Sequence, residues 1–321
     1  MLDLDRLRRI HPRQPPWGQI VVANFVLALD YRFPRPTRID VEGEEHLPRD
    51  RRVFLAMNHT DKYNYWPFEY VLYRKGHGFC ASWVKGKYYE NKWIGWFMDQ
   101  TTNIPLPSRG YVLTTEFRRT MGRAPDEGEY RALREAVGSG LTGEPPTGAA
   151  AFFRARGGVA SFAAEFGALF DSMIAEVLRI TREAFENGYH VLVFPQGTRS
   201  KRLSRGHTGM MQVAQALGVD VLPIGCSGND KCYPDGRPFS RGGHVVYRVG
   251  PVLRLDGPEL GPYRVRTPFA ALTDAATAAH DAAFQAATDV VMDRINGLLD
   301  PEYRFGEEKT SDGVKGVNRF L

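Results

Sequence analysis

VLVFPQGTRS, residues 191–200, sets the reading of this chain: an apolar run from Val191 to Phe194 ends in a Gly-Thr-Arg-Ser turn, with Lys201, Arg202 and Arg205 close behind. A short apolar run bounded by turn residues is the pattern of a strand buried on both faces. In an α/β sheet, the ends of such strands are where ligands gather. Upstream, a second run of this kind, Val53 to Met57, stops at Asn58-His59-Thr60-Asp61. One strand thus ends in a titratable imidazole and another in a cluster of fixed cations. That pairing points to an enzyme site for an anionic substrate.

The elements around these runs indicate the fold class. Phe166, Leu169, Phe170, Met173, Ile174, Val177, Ile180 and Ala184 recur at helical spacing, and Gly188 ends that helix before a strand at 189–194. A helix from Met210 to Leu217, strands at Val219–Ile224 and Gly243–Val252, and a helix from Asp274 to Leu299 follow, with Pro301 just beyond. Strands alternating with helices predict an α/β fold whose central mixed or largely parallel sheet is flanked by helices. Residues 1–38 are read as a basic and apolar N-terminal segment, and Pro34, Pro36 and Pro48 mark a connector before the strand at 52–57. The α/β domain is placed at 39–303, with a helical insertion at 111–164 that forms a lid or helical hairpin, and a C-terminal tail at 304–321. The region 65–100 is dense in aromatics; Trp93 to Met98 suggests a hydrophobic groove or an interfacial contact.

With 321 residues, 43% hydrophobic and 25% charged, the chain is long enough for a substantial core. Forty-two basic residues against 37 acidic ones give +5, without the concentrated stripe or reading module of a nucleic-acid binder. Attraction to an anionic membrane surface or a phosphorylated substrate accounts for the same excess. Three cysteines are too few for a disulfide framework, so reduced thiols and a cytoplasmic setting are expected. No His/Cys spacing fits a metal pattern. Trp17 to Leu29 is apolar but short of the ~20 residues needed to span a bilayer. It follows Arg6, Arg8, Arg9 and Arg13, and suits either a helix lying in the membrane interface or one packed on the domain.

Asn58-His59, Phe194-Pro-Gln-Gly-Thr-Arg-Ser200 and Val221-Leu-Pro-Ile224, in this order, resemble the blocks of the glycerophospholipid acyltransferase superfamily, of the lysophosphatidic acid acyltransferase kind. The resemblance runs from about residue 40 to 303, apart from much of 111–164. It implies acyl transfer from acyl-CoA or an acyl-carrier protein, as co-substrate and with no cofactor, to the hydroxyl of a lysophospholipid or glycerol-phosphate-like acceptor. It places a peripheral enzyme of phospholipid biosynthesis on the cytoplasmic, inner face of the membrane. An alcohol needs a base to take its proton, and histidine titrates nearest neutrality; His59 falls at the catalytic position. Arg199 is expected to hold the acceptor phosphate through its guanidinium fork. Asn58, Gln196, Gly197, Thr198 and Ser200 are expected to line the substrate site. Lys201, Arg202 and Arg205 either strengthen the field there or form a solvated surface.

Three positions depart from the family pattern. The aspartate that follows the histidine by five residues is Asn64 here, so either Asn64 or the nearby Asp61 orients the ring. Asp61 would do so if the stretch is extended, which puts residues i and i+2 on one face. The usual glutamate of the third block is Gln196. In Asn103-Ile-Pro-Leu-Pro-Ser-Arg109 the arginine comes one residue late, leaving Arg109 as a second candidate phosphate ligand. The two lost carboxylates raise an alternative: a non-catalytic lipid-binding member of the same fold.

Overall fold

The computed structural model describes residues 1–234 and 236–310; the expected tail at 304–321 lies outside them from residue 311 onward. The chain opens with α1 (Leu4–Arg9), then α2 (Trp17–Val21), a π-helical stretch (Val22–Leu27) and α3 (Ala28–Asp30), which run on as one helix. Seven strands among the described residues make one sheet: β1 (Thr37–Glu42), β2 (Phe54–Met57), β3 (Cys80–Lys85), β4 (Asn103–Leu106), β5 (His190–Val193), β6 (Val221–Ser227) and β7 (Gly243–Val249). Their order is β1-β7-β6-β2-β5-β3-β4. From β6 to β4 neighbours are parallel, while β7 is antiparallel to β6 and β1 parallel to β7. The expected mixed α/β sheet flanked by helices is present.

Strands buried on both faces need no polar alternation, and β2, β5 and β6 are buried throughout. Their side chains still split by the two-residue pleat. Phe54, Ala56, Val191 and Val193 join a core built with α9 (Val159–Glu186) and α10 (Gly209–Leu217), together with α12 (Asp274–Leu298). Leu55, Met57 and Leu192 face Phe68 and Leu72 of α4 (Trp66–Arg74) and Tyr247 of β7. Short α11 (Asn229–Cys232) follows β6.

Two regions differ from expectation. The connector before residue 52 contains edge strand β1, and the aromatic region contains β3, with β4 just beyond it. Residues 111–164 are helical: most of α6 (Arg109–Met121), α7 (Glu127–Val137), α8 (Thr147–Ala155) and the start of α9, around buried Phe117, Phe152, Phe153 and Phe162. Ser108 caps α6 and an Asp126/Glu129 capping box starts α7.

The segment from Trp17 to Asp30 has one packed face and one open face. Gln19, Ala23 and Leu27 are buried, whereas Trp17, Phe25 and Leu29 are 69%, 70% and 59% exposed. It lies against α5 (Lys92–Gln100), so closely that a Cβ on Gly18 would sit 2.0 Å from the Gln100 carbonyl oxygen. Trp93 and Trp96 of α5 are exposed too. Among the described residues no single helix is long and apolar enough to cross a membrane.

Candidate active site

β2 and β5 are neighbours, with Ala56 opposite Val193, so the segments beginning at Asn58 and Phe194 leave the sheet side by side. They are laced together. The His59 backbone N–H donates to Gln196 Oε1 at 2.8 Å, and the Ser200 N–H donates to the His59 carbonyl at 2.9 Å. The His59 ring stacks on Phe194, centroids 4.1 Å apart and planes within 15°.

The hydrogen bonds of Asn64 determine the state of that ring. Asn64 is fully buried, and its Nδ2 donates to the Asn58 carbonyl at 2.7 Å. A carbonyl only accepts, so Oδ1 must be the atom that faces His59 Nδ1, 3.1 Å away. Nδ1 therefore carries the proton and Nε2 keeps its lone pair. Burial, with repulsion from Arg199 and Lys85, lowers the imidazole pKa from 6.5 to about 3 against the opposing pull of Asn64. The ring is neutral at physiological pH.

Asp61 does not orient His59. The chain turns immediately after the histidine, and Asp61 accepts from the Tyr63 N–H (2.7 Å), the Thr60 hydroxyl (2.9 Å) and Asn229 Nδ2 (2.8 Å). Its carboxylate braces the loop from beneath, where burial raises its pKa. Asn58 and Gln196 also depart from the expected substrate-lining role. The Asn58 amide, 2% exposed, exchanges two hydrogen bonds with Cys226 of β6 at 2.9 and 2.7 Å. Gln196 is as deeply buried; besides holding His59 it donates to Ser204 Oγ at 3.2 Å. An amide can accept on one side and donate on the other, which a carboxylate cannot, so Gln196 suits this bridge.

Gly197 has φ +64°, and a Cβ there would come within 2.8 Å of the His207 ring. That turn carries partly exposed Thr198 and exposed Arg199 outward, while Ser200 is turned in and buried. Arg199 makes no ion pair among the described residues. Its charge acts on His59, on Tyr63 and on Lys87, whose ammonium is depressed by partial burial and then by Arg199 and Lys62. Arg199 and Lys85 thus act on the imidazole, while Arg199 and Lys62 act on Lys87, which links the four cations in one electrostatic cluster. The three lysines were missed from sequence, although Phe79 to Val84 is another strand-like run, ending in Lys-Gly-Lys. Arg109 is engaged elsewhere: it pairs with Asp274 at 2.5 Å and lies over Phe170. Lys201 pairs with Glu302 at 3.0 Å and belongs to the surface. Among the described residues no group of three His, Cys, Asp or Glu side chains could hold a metal ion.

The arrangement supplies a neutral base with one free nitrogen beside positive charge, which is what deprotonating a hydroxyl on an anionic molecule requires. A family model described as acyltransferase matches residues 38–130 and 170–227, a range that includes both motif loops and Lys62, Lys85 and Lys87. No curated protein matches the chain. Among the solved structures that match is the 1-acyl-sn-glycerophosphate (LPA) acyltransferase PlsC from Thermotoga maritima. It is 17% identical, the match covers 93% of this chain and 83% of that one, and the TM-score of 0.42 is too low to bear on the site. With both motif loops inside the matched residues and in contact with each other, the part of the chain that carries the site matches the acyltransferase family.

Proposed function

We propose that the protein moves a fatty acyl group from an acyl thioester, acyl-CoA or acyl-carrier protein, to the hydroxyl of a phosphate-bearing lipid acceptor such as a lysophospholipid. The observation that carries this reading is a neutral imidazole with a free Nε2 beside the cations Arg199 and Lys85, the first of which also acts on Lys87. Nε2 takes the hydroxyl proton as the oxygen attacks the thioester carbonyl. The C–S bond then breaks and the imidazolium returns the proton to the departing thiolate. The thioester brings its own activation, so the scheme calls on no cofactor.

Arg199, with Lys87 and Lys62, suits the acceptor phosphate. Its arrival would offset the cations that depress His59 and so raise the basicity of the ring in the complex. The exposed apolar side chains of Trp17, Phe25, Leu29, Trp93 and Trp96, with Arg32 and Lys92 exposed nearby, suit the interface of an anionic bilayer. This favours peripheral attachment, with the site on the cytoplasmic side.

The test is thiol release from acyl-CoA and acyl-carrier protein, with a panel of phosphorylated acceptors and with none. Acceptor-dependent release is expected, and Arg199→Ala should raise the acceptor KM about tenfold or more while leaving the donor KM in place. No release with any pair, alongside retained lipid binding, would favour the non-catalytic alternative, since both family carboxylates are amides here. Release without acceptor would indicate hydrolysis instead.

A further inference from the structure

Of the two cations contributed by the β3 end, Lys85 precedes a short 3-10 turn, Gly86–Tyr89, and Lys87 lies within it. Beyond the sheet, much of what holds this turn comes from the start of the chain. Leu2 is 1% exposed, and its side chain lies against Gly86, where a Cβ would come within 2.8 Å of Leu2 Cδ2. The Leu2 N–H donates to Tyr111 OH at 3.0 Å, which donates to Glu90 Oε1 at 2.6 Å just after the turn. Arg6 lies over the Tyr89 ring, 4.7 Å from its centroid, and pairs with Asp99 of α5 at 2.7 Å. α1 is itself fixed to the core: Leu7 is fully buried, and Arg179 of α9 donates to the Leu7 and Ile10 carbonyls, both at 3.1 Å.

We propose that residues 2–9, Leu2 together with α1, are a strut that sets the position of the Lys85–Lys87 turn, making Leu2 and Arg6 positioning residues for the acceptor phosphate although neither faces the imidazole. This rests on the acceptor reading above. A turn at a sheet end with a glycine at its start has little stiffness of its own. Removing the Leu2 side chain leaves a gap directly beneath the backbone that joins the two lysines.

Two measurements on the full chain test this. In Leu2→Ala, amide hydrogen exchange over residues 85–89 should rise, and the acceptor KM should rise by about tenfold, as in Lys87→Ala, with the donor KM and kcat within about twofold. Leu2→Met should restore both readouts. Arg6→Gln, on a side chain less central to packing, should show a smaller change of the same kind. Because Leu2 acts through the turn that carries Lys87, Leu2→Ala combined with Lys87→Ala should fall short of the product of the two single effects. Unchanged exchange at 85–89, or additive effects in the double variant, would overturn the strut. An acceptor KM unmoved by Lys87→Ala would instead remove the acceptor role of the turn, and exchange would still decide whether the strut positions it.

Discussion

Asn64→Asp restores the carboxylate of the family pattern, and the structure indicates what that would do here. The new charge would sit about where Oδ1 now lies, 3.1 Å from His59 Nδ1. Opposite unit charges ~4 Å apart interact by about 4 kcal/mol at an effective dielectric near 20. Each pKa unit corresponds to about 1.4 kcal/mol, so the imidazole would rise by up to about three units. Desolvation of the buried carboxylate and the cations at Arg199 and Lys85 trim this to about two. The His59 pKa would then move from about 3 to roughly 5. The change also removes the Nδ2 donor to the Asn58 carbonyl, costing about 1–3 kcal/mol of stability. The assay is the pH dependence of kcat/KM for acyl transfer, which reports ionisation of the free enzyme. The acid limb should move upward by about two units. A folded, active variant whose acid limb stays in place would show that Asn64 does not govern the ring.

Further outcomes follow from the same geometry. His59 and His190 both have folded pKa values below the ordinary 6.5, about 3 and about 4, chiefly through burial. The unfolded chain therefore binds their protons first, and stability is full above about pH 6.5 and lost as pH falls toward 4. Each site contributes up to about 1.4 kcal/mol per pH unit. Denaturation midpoints at pH 7, 6 and 5 should decline, and His190→Asn should flatten the decline; a flat wild-type profile would count against it. For the membrane face, Phe25→Ala with Trp93→Ala should lower partitioning onto anionic vesicles by about tenfold or more, since each aromatic contributes on the order of 1.5–3 kcal/mol when buried. Equal partitioning by variant and parent would remove these side chains from the contact.

The parallel centre of the sheet was legible because Val53–Met57, Val191–Phe194 and Val221–Ile224 are apolar without interruption, as strands covered on both faces must be. Strand β1 was not, because Thr-Arg-Ile-Asp-Val-Glu is a half-exposed edge set among prolines. β4 includes Pro105, which an edge strand tolerates because it pairs on one side only. His59 and Arg199 were found because each lies in a segment that follows a strand end and resembles an acyltransferase block. The direction of Asp61 depends on Asn229, 168 residues away, and nothing local encodes it. Asn58 and Gln196 were misplaced for a related reason: their partners, Cys226 and Ser204, are fixed by tertiary packing. Lys85 and Lys87 could have been found by applying the strand-end argument a third time.

The central claim is that His59 removes the proton from the acceptor hydroxyl. Its most direct test is His59→Ala, assayed for acyl transfer at saturating donor and acceptor, with acceptor binding measured in parallel. Loss of about 10²–10⁴-fold in kcat with binding retained is the predicted result; turnover within about threefold of the unsubstituted protein would contradict it.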